Sequence, residues 1–306
     1  MQQSFFVITG EHEELARDEI ASIAKSYDKK SSTKSDSRLV VIKSKIPYSK
    51  IANRATFVKI SGVLAETTNI AKIPIKKPAS FACRVVNLST KTINSSHLER
   101  EMGTILKQKW NSKVSLSNPQ ITVYLIITNS RKYLGYSKNQ AEPKRPEKLL
   151  KYPHELDSKL ARCMVNLSQL KENQTLCDPF CGTGTILLEA ESMGIKTIGM
   201  DFDPEMCGIT KKNLEANGFK PKIINSSFYD IKKIMKKIDG IVTDLPYGIS
   251  SKSSTEPQKL AKEFLSTIPK KKRLVVVYRK GFDIPIKAKK YEIYRHKSLT
   301  RVITSR

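Results

Sequence analysis

The second half of the chain alternates short apolar runs with amphipathic helical patterns, and this alternation limits the folds available to it. A helical pattern begins at residue 155, and the strand-like runs that follow are QTLCD, KTIGMD, KIIN, DGIVTD and RLVVVY. Such alternation is typical of a parallel sheet covered on both faces. The last two runs, YEIYRH and LTRVITS, leave no room for a helix between them and predict an antiparallel hairpin at the sheet edge. We expect an α/β domain over 155–306.

The first half of the chain has a different order of elements. Strand-like SFFVIT is followed by a helical pattern and by RLVVIKS; later come ACRVVNL, the helical SSHLEREMGTILKQKW, and the strand-like QITVYLIIT and RKYLGYS. This mixture predicts an α+β region, in which Ser95 or Ser96 caps the second helix. Residues 139–154 contain three prolines and several lysines, and we interpret them as a linker between domains.

Charge and cysteine content restrict the class of protein. The chain has 55 Lys+Arg against 29 Asp+Glu, a formal charge of +26, and residues 43–150 alone carry 20 basic and 5 acidic residues. A basic folded surface favours a nucleic-acid partner. Alternatively, the lysines only solvate the surface of a protein from an organism whose proteins are rich in lysine.

An odd number of scattered cysteines indicates a reducing compartment, and no residue cluster has the spacing of a metal site. There is no signal-peptide pattern and no apolar run near the roughly 20 residues of a membrane span, so we expect a cytoplasmic protein.

The stretch DPFCGTG, residues 178–184, lies between the first strand and the following helix of the α/β domain. Parallel sheets bind ligands at the carboxyl ends of their strands, and Gly182 and Gly184 allow the backbone to approach a ligand closely. The Asp178 carboxylate at the mouth of the loop disfavours a pyrophosphate and suits a cationic ligand such as an amino acid sulfonium. The alternative is a tight turn that needs glycine for its geometry alone.

A second carboxylate ends the next strand in GMDFD, residues 199–203. An acid at this point accepts hydrogen bonds from ribose hydroxyls, and Asp201 is the candidate. Asp203 precedes Pro204 and is expected to cap the following helix.

The stretch TDLPYG, residues 243–248, follows the fourth strand and therefore faces the same mouth. Asp244 and the carbonyl of Leu245 can accept the two N–H groups of an exocyclic amine. Pro246 biases Leu245 toward an extended conformation, and Tyr247 presents a face on which a base can stack. This arrangement suits methyl transfer to a planar amine.

Together, DPFCGTG, GMDFD and DLPYG resemble the motifs of S-adenosylmethionine-dependent methyltransferases of the amino-methylating type. HLEREMGTILKQ with NPQITVYLIIT is similar to a THUMP RNA-binding domain. LARCMVNLSQL and RHKSLTRVIT resemble the archaeal tRNA (guanosine-10-N2)-methyltransferase family. The resemblance implies a ferredoxin-like region over 1–50, a THUMP domain over 51–138 and a Rossmann-like class I methyltransferase domain over 155–306 with a seven-stranded mixed sheet. It assigns catalysis to Asp244, Leu245, Pro246 and Tyr247, and cofactor binding to Asp178, Phe180, Gly182, Gly184, Asp201 and Asp230.

Three positions depart from that family's pattern. Leu245 stands where a second proline is usual, and Thr185 replaces a glycine and is expected to crowd the helix start. The acid that contacts adenine is replaced by NSSFYD, in which Ser227 or Asp230 is the candidate.

Other polar residues have two interpretations each. We expect phosphate contacts from basic residues on the THUMP helix and beside it, and each alone is also consistent with an ordinary surface charge: Arg100, Lys107, Lys109, Arg131 and Lys132. Arg162 and Asn166 either help to close the cofactor pocket or lie on a solvated helix face. His296 and Arg301 either line the rim of the active site or are ordinary hairpin residues.

The sequence thus predicts an enzyme that methylates the N2 amine of a guanosine in tRNA, most specifically guanosine 10, and that acts alone as a monomer. A small activating partner protein is the alternative to action alone. Mono- and dimethylated products both fit. The alternatives are N2-methylation at another RNA site, N6-methylation of adenine, and a catalytically inactive THUMP protein that only binds RNA.

Overall fold

The computed structural model describes residues 1–139, 143–153, 155–246, 256–296 and 299–306, with the backbone alone described at 295, 296 and 299. The chain forms two compact units. One comprises Met1–Asn53 and Phe57–Pro143, and the other comprises Arg54–Thr56 and Lys144–Arg306. In the described part of the chain, no helix combines the length and apolar composition needed to span a membrane.

The first unit is built on one eight-stranded sheet, as expected for an α+β region. Its elements are β1 (Gln2–Ile8), α1 (Glu13–Tyr27), β2 (Ser32–Asp36), β3 (Leu39–Ser44), α2 (Tyr48–Arg54), β4 (Val58–Leu64), β5 (Ser80–Asn87), α3 (Ser95–Trp110), β6 (Lys113–Val114), β7 (Ile121–Ile127) and β8 (Lys132–Lys138). The strand order is β2-β3-β1-β4-β8-β7-β5-β6. Strand β4 pairs with β1 and with β8, so residues on both sides of the predicted boundary at 50/51 share this sheet. The division into ferredoxin-like and THUMP domains stays a prediction.

Helix α3 covers the β5 side of this sheet. Met102, Leu106 and Trp110 recur every four residues, which places them on one helix face, and all three are buried. The residue that caps α3 is Asn94, one position before the predicted serines. Its Oδ1 accepts a hydrogen bond from the His97 N–H at 3.1 Å. The prediction of Ser95 or Ser96 as the cap was therefore wrong, because the asparagine before them supplies the acceptor.

The second unit is a doubly wound α/β domain. Its elements are α4 (Ser158–Leu167), β9 (Thr175–Asp178), α5 (Thr185–Ser192), β10 (Lys196–Asp201), α6 (Pro204–Glu215), β11 (Lys222–Asn225), α7 (Ile231–Ile234), β12 (Gly240–Asp244), α8 (Pro257–Thr267), β13 (Arg273–Arg279), β14 (Lys290–His296) and β15 (Leu299–Ser305). The strand order is β11-β10-β9-β12-β13-β15-β14. Strands β9–β13 are mutually parallel and β14–β15 form the antiparallel hairpin, which confirms the predicted seven-stranded mixed sheet.

Helix α4 is enclosed rather than solvated. Every residue from Leu160 to Leu167 is buried, and Arg162 Nη1 pairs with Glu189 Oε2 at 2.8 Å. Asn166 donates to the backbone carbonyl of Arg54 and accepts from its Nε, at 3.0 and 3.2 Å. The interpretation of Arg162 and Asn166 as a solvated face was therefore wrong. Their contribution to a cofactor pocket stays a prediction.

The N-terminus of α4 gives a test of this part of the fold. Asp157 Oδ1 accepts hydrogen bonds from the N–H groups of Lys159 and Leu160, at 3.0 and 3.3 Å. Replacing a capping aspartate by alanine costs about 1 kcal/mol, so Asp157→Ala should lower the free energy of unfolding by that amount. Urea denaturation of the full chain, followed by circular dichroism, measures it. The exposed neighbour provides the control, Ser158→Ala, and equal midpoints for the two variants would contradict the assignment.

Candidate active site

Three carboxylates stand at the carboxyl ends of neighbouring strands in the second unit. Asp178 ends β9, Asp201 ends β10 and Asp244 ends β12. Strand β9 lies between the other two, and the chain runs from β9 outward to β10 and β11 before it returns to β12 on the other side. The gap between β9 and β12 is thus a topological switch point, where open α/β sheets bind their ligands.

Asp178 is almost fully buried at this point. Its Oδ1 accepts hydrogen bonds from Thr243 Oγ1 at 2.6 Å and from the Phe180 N–H at 3.1 Å. Burial raises the pKa of Asp178 to about 7, with further contributions from the charges of Asp244 and Asp201, although the two hydrogen bonds oppose the shift. A nearby positive charge would stabilise the ionised form, so this position suits a cationic ligand.

Asp201 fastens the glycine loop to the end of β10. Its Oδ2 accepts the Gly182 N–H at 2.9 Å and its Oδ1 accepts the Asp203 N–H at 3.0 Å. Burial raises the pKa of Asp201, and these backbone hydrogen bonds oppose the shift. Asp203 accepts from the Glu205 N–H at 3.0 Å with Pro204 in the first turn of α6, which confirms its predicted role as a cap.

The glycine loop, residues 178–184, adopts a conformation that needs its glycines. Gly182 and Gly184 have φ angles of +51° and +84°. A Cβ at Gly184 would lie 2.9 Å from Thr210 Cγ2, whereas a Cβ at Gly182 would meet no atom within 4 Å. The loop is therefore packed against α6 on the Gly184 side and open on the Gly182 side, where a ligand has room to approach the backbone.

Phe180 and Asp230 lie close to the switch point but have partners of their own. The Phe180 ring is partly buried and packs against Phe228 and Phe264, with both centroid distances at 5.3 Å. Asp230 is half-exposed, and its carboxylate pairs with Lys233 Nζ at 2.7 Å on the same helical turn. Their roles in cofactor binding stay predictions.

Sequence reasoning missed two residues beside Asp201. Phe202 follows it directly and is 47 % exposed, so its ring is available for stacking. Ser226 follows β11 and donates its N–H to the Asp201 carbonyl at 3.0 Å, and its buried hydroxyl has no hydrogen-bond partner among the described residues. The available signal was positional: both residues directly follow a predicted strand end. They add an aromatic face and a spare hydroxyl beside the carboxylate that ends β10.

The backbone after β12 is fixed by Leu245. Its N–H donates to the Val277 carbonyl at 2.9 Å, and its side chain is fully buried in the core under the sheet. Pro246 follows and is partly buried, and Tyr247 lies outside the described residues. The leucine that replaces the family's proline thus anchors the peptide through packing instead of ring stiffness.

Arg301 lies beside Asp244. Its side chain is 2 % exposed, and Nη2 is 3.8 Å from Asp244 Oδ2, whose own side chain is 20 % exposed. Burial raises the pKa of Asp244 to about 7, and the positive charge of Arg301 opposes that shift. The interpretation of Arg301 as an ordinary hairpin residue was wrong, while the His296 side chain lies outside the described set.

The candidate RNA-binding residues of the first unit differ in their surroundings. Arg100 and Lys107 are exposed and seven residues apart on α3, which places them on one face. Lys109 instead donates from Nζ to the carbonyls of Ala71 and Ile73, at 2.8 and 2.9 Å. Two further candidates, Arg131 and Lys132, are exposed at the start of β8. The structure therefore gives Lys109 a structural task, and Arg131 lies over the Tyr133 ring at 5.7 Å from its centroid.

Comparisons with known proteins agree with this description. A family model described as an RMKL-like methyltransferase domain matches residues 145–285, and one described as a DNA methylase matches residues 4–212. The tRNA (guanine(10)-N2)-dimethyltransferase of Methanocaldococcus jannaschii is 30 % identical over 97 % of both chains. That of Methanothermobacter thermautotrophicus is 38 % identical over 73 % of this chain and 72 % of its own length.

Two solved structures share the fold. TrmN from Thermus thermophilus matches with a TM-score of 0.57 and 17 % identity, over 100 % of this chain and 99 % of its own. A methyltransferase complexed with SAH, SMU.472, matches with a TM-score of 0.50 and 13 % identity, over 99 % and 97 %. At such identities the likeness concerns the fold alone.

The glycine loop supplies a matched pair of variants. Gly184→Ala places a Cβ against Thr210 at a positive φ and should destabilise the protein by about 1–3 kcal/mol. Gly208→Ala lies inside α6, where the added Cβ meets nothing within 4 Å, and should stabilise it by up to about 1 kcal/mol. Thermal unfolding distinguishes the two, and a Gly184→Ala protein as stable as the wild type would refute the described packing.

Proposed function

The chain belongs to the archaeal tRNA (guanine(10)-N2)-dimethyltransferase family, and we propose that it transfers methyl groups from S-adenosylmethionine to the N2 amine of guanosine 10 in tRNA. The observation that carries the proposal is the gathering of three strand-end carboxylates and a glycine loop at the switch point of an α/β sheet. Activity as a monomer in the cytoplasm is part of the same proposal.

The residues around the glycine loop fit the methyl donor. When bound, S-adenosylmethionine supplies an electrophilic methyl group on a sulfonium. We assign the cationic methionine end to the neighbourhood of Asp178, because burial disfavours the charge of that carboxylate and a positive charge would offset this effect. The ribose is assigned to Asp201, whose oxygens retain lone pairs beyond the backbone hydrogen bonds that they accept. Phe202 and Ser226 would extend this surface toward the adenine. The sequence-based candidates for the adenine contact are Ser227 and Asp230.

Asp244 and Leu245 would orient the guanine amine. An exocyclic amine is a poor nucleophile because its lone pair is delocalised into the ring. The Asp244 carboxylate and the Leu245 carbonyl accept its two hydrogens and direct the lone pair toward the methyl group. N2 would form a bond to the methyl carbon as the carbon–sulfur bond breaks, and Asp244 would accept the proton that the amine then releases. Holding both reactants in line supplies up to ~7–11 kcal/mol of the barrier.

The first unit would dock the tRNA. Exposed basic residues contact phosphates, which position the RNA without reading its sequence. The target base leaves its stack to reach Asp244, with Tyr247 proposed as its stacking partner.

One relative supports a neighbouring function. The U6 snRNA (guanine-N(2))-methyltransferase THUMPD2 of Bos taurus is 26 % identical over 60 % of this chain, so guanine N2 chemistry at another RNA site is the second candidate. A catalytically inactive protein is disfavoured, because Leu245 is anchored and Asp244 stands in place beside Arg301.

The product of the reaction tests the proposal directly. Purified protein, unmodified tRNA transcript and S-adenosylmethionine should yield N2-methylated guanosine at position 10, identified by nuclease digestion and mass spectrometry. Methylation of guanosine at another position would move the assignment to the second candidate. An absence of methylated nucleoside would refute the proposed activity.

Asp244 should give the transfer rate a pH dependence. Because the pKa of Asp244 is about 7 and only the ionised carboxylate accepts freely, the single-turnover rate at saturating S-adenosylmethionine should rise between pH 6 and 8. Asp244→Asn should remove that rise and lower the rate by a factor on the order of 10². Binding of tRNA should be unchanged. The exposed Asp283 provides the control, and an Asp244→Asn enzyme as fast as Asp283→Asn would exclude this role.

Two lysines on α3 should respond differently to the same change. Lys107→Gln should weaken tRNA binding and reduce the slope of log affinity against log salt concentration by about 1, because one phosphate contact is lost. Lys109→Gln should mainly lower thermal stability, since its bonds to the Ala71 and Ile73 carbonyls are lost. Fluorescence anisotropy at several salt concentrations measures the first effect, with Lys29→Gln as the control. An unchanged slope in Lys107→Gln would remove Lys107 from the interface.

A further inference from the structure

Part of the predicted linker is bound to the second unit. Residues 147–153, named here the strap, run along α6 and pair with two asparagine side chains. Asn217 exchanges two hydrogen bonds with the backbone of Glu147, at 2.6 and 3.0 Å. Asn213 exchanges two with the backbone of Leu150, at 2.9 and 2.7 Å. Each amide replaces a strand partner, so the strap has a defined position along α6 and the turn that follows it.

The same helix also holds the glycine loop. Asn213 is fully buried, and its Nδ2 donates to the carbonyl of Thr183 at 2.9 Å as well as to that of Leu150. An amide has two N–H donors, and these two bonds use both. Strap and loop are therefore fastened to one side chain.

Lys148 reaches from the strap into the loop. Its side chain is 6 % exposed, and Nζ donates to Glu155 Oε2 at 2.5 Å and to the hydroxyls of Thr183 and Thr185, each at 2.6 Å. An ammonium has three donors and no acceptor, so these three partners saturate it. Lys148 thus acts as a tie between chain segments, with no N–H left for a ligand.

Glu155 completes the tie. Its Oε2 also accepts from Thr183 Oγ1 at 3.0 Å and from the Tyr152 N–H at 3.1 Å. The arrangement explains the threonine at 185: its hydroxyl is the third partner of the ammonium, and it does not merely crowd the helix start. A glycine there would leave one donor of a buried cation unsatisfied.

We propose that Lys148 and Glu155 are positioning residues that set the glycine loop in the conformation that receives S-adenosylmethionine. The inference rests on the proposed use of this loop for the methyl donor. The loop contains two glycines at positive φ and would otherwise sample many conformations. Fixing it before binding removes an ordering penalty, which appears as tighter binding of the donor.

Direct binding of the donor tests the proposal without RNA. In isothermal titration calorimetry, Lys148→Met should weaken binding of S-adenosylmethionine about tenfold. The KM for S-adenosylmethionine should rise by the same factor, while kcat at saturation and the affinity for tRNA stay within twofold of the wild type. Lys151→Met is the matched control, because Lys151 is an exposed lysine of the same strap.

Thr185→Val gives a second test that leaves the Lys148–Glu155 pair in place. It should weaken binding of the donor about threefold alone, and should add little in the Lys148→Met background, because both variants remove the same bond. A folded Lys148→Met protein with wild-type affinity, or strictly additive effects, would overturn the inference. If the wild type binds S-adenosylmethionine and Lys148→Met binds it equally, only this inference fails. If the wild type binds none, the proposed function fails as well.

Discussion

The second unit is organised around three carboxylates that the parallel sheet places at one edge. Asp178 and Asp244 are both disfavoured as ions by burial, which raises each pKa from 3.8 to about 7. The sign of the consequence follows from linkage. Between about pH 4 and pH 7 the folded chain holds protons that the unfolded chain has lost, so their contribution to stability falls as pH rises through that window. The site thus carries a stability penalty at neutral pH, and a bound cation would offset it.

The surrounding structure limits this penalty with hydrogen bonds and a buried cation. The Thr243 hydroxyl and the Phe180 N–H donate hydrogen bonds to Asp178, and Arg301 lies 3.8 Å from Asp244. Lys148 does not contact these carboxylates; it bonds to Thr183 in the glycine loop and to Thr185 directly after it. Neither cation belongs to the alternating strands and helices: Lys148 comes from the strap and Arg301 from the terminal hairpin. The alternating strands and helices therefore supply the carboxylates. The strap and the terminal hairpin supply the cations that fix the glycine loop and lie beside Asp244.

The acids were predictable from sequence because strand ends of a parallel sheet meet at one edge, and this needs only local patterns. The capping role of Asp203 was local in the same sense. Lys148 was not predictable, because its threonine partners lie 35 and 37 residues away and the strap reads as an ordinary proline- and lysine-rich linker. Arg301 and Arg162 were ambiguous for a related reason: an arginine in an amphipathic pattern looks exposed until its buried partner is known. The cap of α3 was not predictable either. Three adjacent residues could each cap the helix, and only the backbone geometry selects Asn94.

The carboxylates at the sheet edge also give a physical reason why a spent methyl donor would be replaced by a fresh one. In the proposed placement, a sulfonium donor would bring positive charge toward Asp178, whereas the thioether left after methyl transfer would bring none at sulfur. In a buried site, where charges interact more strongly than in water, that loss weakens binding of the spent donor relative to the fresh one. The glycine loop itself need not move for this discrimination, because it is tied to α6 through Asn213 and to the strap through Lys148. A tied loop and a charge that vanishes on reaction would together favour replacement of the spent donor by a fresh one.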